Sequence, residues 1–184
     1  PGLAWADAMA MLEDYSAAFI ILEAGWRQYE NKTYLSPMGE VCGLWVEAVA
    51  RTRPGDLASQ ITLTQRGLEC APQNETLLRH LIQLTHLEGP EAAQARATLG
   101  AMLTQGKATA ILHFALGVDA WQHGQAAEAR KHLALAYEIA PHLPYVANNM
   151  AMILAVGDKP DLARALAIIQ SVLEKFPNNP SFRE

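Results

Sequence analysis

The sequence predicts an all-α protein built as a row of antiparallel helix hairpins, and two observations carry that prediction. The first is an internal repeat. Amphipathic helix ends recur around Trp26 to Glu30, Leu68 to Pro72, Leu103 to Lys107, Tyr137 to Pro141 and Leu173 to Pro177. With Glu30, Pro72, Lys107, Pro141 and Pro177 taken as equivalent, the spacings are 42, 35, 34 and 36 residues. The second is that side-chain size repeats in register with these marks. Twelve residues before each stand Ala18, Gln60, Ala95, Ala129 and Ala165. Eight before stand Leu22, Thr64, Leu99, Leu133 and Ile169, and four before stand Trp26, Leu68, Leu103, Tyr137 and Leu173. Offsets of four share one helical face. The small residue lets a neighbouring helix approach, and each large one contributes roughly 1.5–3 kcal/mol when buried. Gln60 and Thr64 make the second unit the expected weak point.

In chain order the helices are predicted at 3–12, 16–29, 36–52, 56–71, 75–87, 91–105, 109–122, 126–139, 144–156 and 160–175. Pro1 cuts into the first. The eight extra residues within Asn31 to Glu40 either form an elbow or lengthen the following helix by about two turns, and Ser36-Pro37 as a helix start favours the longer helix. Gly55, Gly89 and Gly124 recur at the turn inside the second, third and fourth hairpins, where glycine suits the left-handed end of a helix. Pro90 follows Gly89 in a first turn that needs no N–H. Pro160 is expected to open the last long helix after a longer turn at Gly157-Asp158. Gly106 replaces the closing proline of the third unit.

The segment Leu116-Gly117, Gly124, Ala129, Leu133, Ala136 and Pro141 resembles a tetratricopeptide (TPR) unit, and the resemblance extends from about Leu3 to Pro177. It implies a right-handed α-solenoid of about four to five units, forming one domain over 1–184. The units fall at about 1–30, 36–72, 75–107, 110–141 and 144–177, with a further helix starting at 180–184. The chain begins at Pro1 rather than Met and ends as a new element starts, so it reads as a piece of a longer, bacterial TPR-containing protein.

The same resemblance implies where a partner sits. The first helix of each hairpin lines a concave groove, which places Arg79, Gln83 and His86 there with Thr76 and Leu87 from the third unit. The fourth contributes Ile111, Phe114, Val118, Trp121 and Gln122, and the fifth Tyr145, Asn148 and Met152 with Ala155 and Val156. The second contributes Cys42, Trp45, Val49, Thr52 and Arg53. Such a groove is aromatic and largely neutral. It does not match the basic carboxylate clamp of TPR co-chaperones, for which only Arg79 and Asn149 are at hand. The expected function is therefore a scaffold holding a helical or extended peptide by apolar anchors. The alternative is a regulatory or targeting array of a larger enzyme or of an envelope or polysaccharide-export protein.

Other chemistry is disfavoured residue by residue. Gly100 to Ala108 mimics a phosphate loop, but five residues separate its glycines, Ala108 stands where Ser or Thr is required, and no strand precedes it. The nearest of the six histidines (His80, His86, His113, His123, His132 and His142) are six apart, on different helical faces. A single-helix metal pair needs a spacing of three or four, so these read as surface or interface residues unless ligands converge from separate helices. Cys70 follows Glu69 at a helix end, where the dipole works against a thiolate. Cys42 and Cys70 read as inert thiols, with a disulfide between them the less favoured reading. The sequons at Asn31 and Asn74 read as coincidence, and no carboxylate pair has an acid–base arrangement. No catalytic residue, metal or cofactor is expected, and the chain is not read as an enzyme. Lys and Arg number 14 against 19 Asp and Glu, and no basic stripe marks a nucleic-acid binder. The longest uncharged run, Ile139 to Gly157, is broken by Pro141 and Pro144, which argues against membrane insertion. Protein or peptide partners are expected, with self-association through the exposed ends of the array as a further route. A cytoplasmic location is slightly favoured over a periplasmic one.

Overall fold

A computed structural model describes residues 2–105, 108–156 and 160–175. These residues contain ten α-helices and no strand. They fall into two compact units, Pro1–Lys107 and Ala108–Glu184. The first holds α1 (Gly2–Met11), α2 (Tyr15–Tyr29), a 3₁₀ turn (Lys32–Tyr34), α3 (Leu35–Thr52), α4 (Leu57–Cys70), α5 (Glu75–Thr85) and α6 (Pro90–Thr104). The second holds α7 (Ala110–Gln122), α8 (Ala126–Ile139), α9 (Pro144–Ala155) and α10 (Leu162–Lys175). In each unit consecutive helices pack as hairpins, the arrangement the repeat predicts. The expected stops at Gly106 and Pro177, the turn at Gly157-Asp158, the N-terminal Pro1 and the helix from 180 lie outside the described residues.

Short polar side chains start the helices by accepting otherwise unpaired N–H groups. Asp14 accepts from Ala17 N at 3.0 Å, Asp56 from Ser59 N at 3.2 Å, Asn74 from Leu77 N at 3.1 Å and Thr109 from Leu112 N at 3.2 Å. Pro90 and Pro144 occupy first turns. The last helix departs from expectation: it starts at Leu162, with Asp161 accepting from Arg164 N at 3.0 Å, so Pro160 precedes it rather than opening it. Gly89 (φ 105°) and Gly124 (φ 72°) take the predicted left-handed conformation, whereas Gly55 does not. There the turn closes through Asp56 N to Arg53 O at 3.0 Å. The extra residues after Asn31 form both an elbow and a long helix, the 3₁₀ turn and then the 18-residue α3. The elbow presses the Tyr34 ring onto α2, where a Cβ on Gly25 would lie 2.5 Å from Tyr34 Cε1.

All five small marks, Ala18, Gln60, Ala95, Ala129 and Ala165, are buried. Of the large ones Leu22, Thr64, Leu68 and Leu133 are buried, while Trp26 and Leu103 lie near helix ends and remain exposed. Gln60 and Thr64 do not leave bare polar atoms in the core. Gln60 Nε2 donates to Pro54 O at 3.1 Å, tying α4 to the turn before it, and Thr64 Oγ1 donates to Gln60 O at 2.7 Å. A satisfied buried polar group avoids the desolvation penalty. Glycines permit close helix approaches, and a Cβ on Gly39 would overlap Ala71 Cβ. A Cβ on Gly67 would lie 2.7 Å from Cys42 Cβ and would overlap the Leu77 side chain. One on Gly117 would lie 2.7 Å from Leu133 Cγ and 3.1 Å from Leu133 N. The first unit is also pinned from α4 to α2, with the Arg66 guanidinium 3.9 Å over the Phe19 ring and 3.2 Å from Glu23 Oε1. In the second unit Leu133, Met150, Ile153, Leu154, Ile168 and Val172 form one cluster with small residues between them.

Candidate interaction face

The first helices of the hairpins bury one face against the second helices, which leaves their other face to solvent. In the second unit Leu112, His113, Gly117 and Ala120 are buried on α7, as are Val146, Ala147, Met150 and Ala151 on α9. Helical spacing then places Ile111, Phe114, Val118, Trp121 and Gln122 on the opposite face of α7, and Tyr145, Asn148 and Met152 on that of α9. Trp121, Tyr145 and Met152 are 37%, 39% and 40% exposed, high for large apolar side chains. Gln122 is exposed, and Ile111, Phe114, Val118 and Asn148 are half-buried. Phe114 meets Tyr145 edge to face, with ring centroids 4.9 Å apart at 74°, so the two helices share one aromatic surface. Phe114 also packs onto the cluster beneath, making it as much a foundation as a contact residue. Asn149 Nδ2 donates to Tyr145 O at 2.8 Å, so its amide is engaged by its own helix. No charged residue occurs on α9, and α7 carries only Asp119 among Asp, Glu, Lys and Arg.

The corresponding face of the first unit differs. On α5, Arg79 and Gln83 are exposed and Thr76 is half-buried, and His86 and Leu87, just beyond the helix, are exposed. On α3 the expected register is corrected. Cys42 and Val49 are core residues, 0% and 2% exposed, and Trp45 is half-buried. The exposed stripe is instead Glu40, Leu44, Glu47 and Arg51. Leu44 is 47% exposed, and Glu47 lies 3.6 Å from Arg79 on α5. Glu40, Gly43, Leu44, Glu47, Asn74 and Thr76 line a shallow depression of about 280 Å³. This part of the surface is charged, against the neutral groove expected. Beside Arg79 and Glu47, burial is the largest cause and lowers the His80 pKa; Glu47 opposes it and Arg79 adds to it. The His80 Nε2 is buried without a hydrogen bond among the described residues.

The thiols are not poised for chemistry. Burial is the main cause pushing Cys42 up to about 12, and burial followed by Glu69 raises Cys70 as well. Both are free. The histidines include one that departs from the expected surface position: His113 is buried, and it meets His132 across the α7–α8 hairpin. No described helix is long and apolar enough to cross a membrane.

Two solved structures share this architecture. One, the MamA RS-1 ArsTM double mutant, has a TM-score of 0.52 at 16% identity, covering 97% of this chain and 94% of its own. The other, TTC0263, a thermophilic TPR protein in Thermus thermophilus, has a TM-score of 0.52 at 18% identity, covering 99% of this chain and 93% of its own. No family model matches the chain, and no curated protein matches it in sequence. The fold is TPR-like over nearly the whole chain.

Proposed function

We propose that this chain is a protein-interaction scaffold and that the α7/α9 face of its second unit takes a helical or extended peptide segment through apolar anchors. The observation that carries this reading is the exposed set Trp121, Tyr145 and Met152 around Phe114, on two helices with almost no charge. Water-exposed aromatics cost free energy that a partner's apolar side chains recover on burial, and Trp and Tyr are enriched among residues that dominate binding. A helical partner would present anchors at helical spacing.

The test is a pull-down with the intact chain beside a Trp121→Ala/Tyr145→Ala/Met152→Ala version of matched helicity. A partner retained by the first and lost by the second supports the assignment. A partner held equally by both places the site elsewhere.

A second observation favours self-association as an additional mode. Leu3, Trp5, Met11 and Leu12 at α1 and Leu162 and Leu166 on α10 are all exposed. Mass by light scattering that rises with concentration, and falls on Trp5→Ser/Leu166→Ser substitution, would support it; a constant monomer mass would remove it.

A further inference from the structure

His113 on α7 and His132 on α8 place their Nδ1 atoms 3.0 Å apart, with ring centroids separated by 5.3 Å and planes inclined by 26°. At that distance one nitrogen donates and the other must offer a lone pair, because two N–H groups cannot face each other there. His113 is buried at 8% exposure, in the seam between α7 and α8. The hairpin is tightly seated next to the pair, where Gly117 has no room for a side chain against Leu133.

We propose that this imidazole pair is a proton-operated latch on the α7–α8 hairpin, closed while at least one ring is neutral and released when both are protonated. One proton is tolerated. When His132 carries it, Glu128 Oε2 lies 3.9 Å from the His132 Nε2 as a counter-charge. The His132 Nδ1–H then donates to the neutral His113 ring. The second proton has to take the His113 Nδ1 lone pair that accepts this bond, so the bond breaks and two like charges face each other in a half-buried place. The charged groups around the pair are Glu128, which favours a cation, and Lys131, which opposes it, and these two are themselves paired at 3.2 Å. Helix α9, which packs on α8, contributes none.

Burial is the largest cause lowering both pKa values from 6.5; Lys131 adds to it at His113, and at His132 His113 and Lys131 add to it against Glu128. The unfolded chain therefore binds more protons than the folded hairpin, so the stabilisation is present above about 6.5 and lost as pH falls below it. Coupling splits the pair into two macroscopic steps rather than two independent ones.

The experiment is NMR titration of the histidine ring protons together with site-resolved amide exchange, corrected for intrinsic rate, at pH 7.5 and 5.0. It compares the unmodified chain with His132→Gln, whose amide can donate to His113 without titrating, and with His142→Gln as an exposed control. Exchange in α7 and α8 of the unmodified chain and the control should accelerate by about tenfold or more in acid, the equivalent of one pKa unit of linkage. The His132→Gln chain should change by much less. Resolving exchange by helix separates this effect from His80 in the first unit. Equal acceleration in all three chains, or two rings titrating independently near 6.5, would overturn the latch. Should His132→Gln fail to fold, the unmodified chain's titration decides alone: split steps support the proposal and coincident ones refute it.

Discussion

The two units use the same hairpin to present opposite kinds of surface. On α3 and α5 the outward stripe is Glu40, Leu44, Glu47, Arg51, Arg79 and Gln83, and on α7 and α9 it is Ile111, Phe114, Val118, Trp121, Tyr145 and Met152. The inward-packed residues meanwhile follow one rule, with alanine or a satisfied Gln60 at the close approach and leucine-sized residues beside it. The packing face thus sets the fold, and the other face is left to vary. Charge on an exposed rim mainly sets association rate and partner choice, whereas desolvated aromatics set affinity. The second unit is accordingly where tight binding is expected, and the first where steering is.

The comparison can be broken most forcefully at the shared packing rule. Leu133→Ala, at a residue 1% exposed, should cost about 2–5 kcal/mol in urea unfolding. A cost under about 1 kcal/mol would mean that the mark is not a core position. Next, Trp121→Ala/Tyr145→Ala should weaken partner binding by about 2 kcal/mol or more in calorimetry. Glu47→Gln should leave affinity within about 1 kcal/mol and alter mainly the salt dependence of the on-rate. The reverse pattern would move the binding face to the first unit. Gly117→Val and Gly67→Ala should each cost about 1–3 kcal/mol by overpacking, a symmetric effect in the two units. The smallest expected effect separates them again. His80 is lowered by burial in the first unit, so α5 should lose protection as pH falls below about 6.5 and His80→Leu should flatten that dependence in amide exchange.

The helices were legible because amphipathic periodicity and turn chemistry are local. Predicted and observed bounds agree within about two residues, an ordinary margin for helix ends. The face of α3 was not legible. The extra residues after Asn31 break the register of the repeat, and each residue of error rotates a helical face by about 100°, which is how Cys42 and Val49 came to be expected outside. Only the tertiary contact of Cys42 with the Gly67 side of α4 decides the matter. The α7 and α9 faces were readable because no insertion separates Gly124 from the marks on either side. The His113–His132 contact joins residues 19 apart and shows in no single-helix spacing. The usable signal was two histidines flanking Gly124 in an antiparallel hairpin, with the approximate symmetry such a turn imposes.

Cys42 gives the first unit a built-in clock. Its thiol is 0% exposed, lies where Gly67 allows no intervening atom, and is pushed up to about 12. A soluble thiol reagent can therefore modify it only in molecules where α3 and α4 have parted. Cys70, less deeply placed, should react earlier and mark the start of the record. The lag between the two modifications, followed by mass spectrometry, measures the free energy of opening one hairpin without any denaturant.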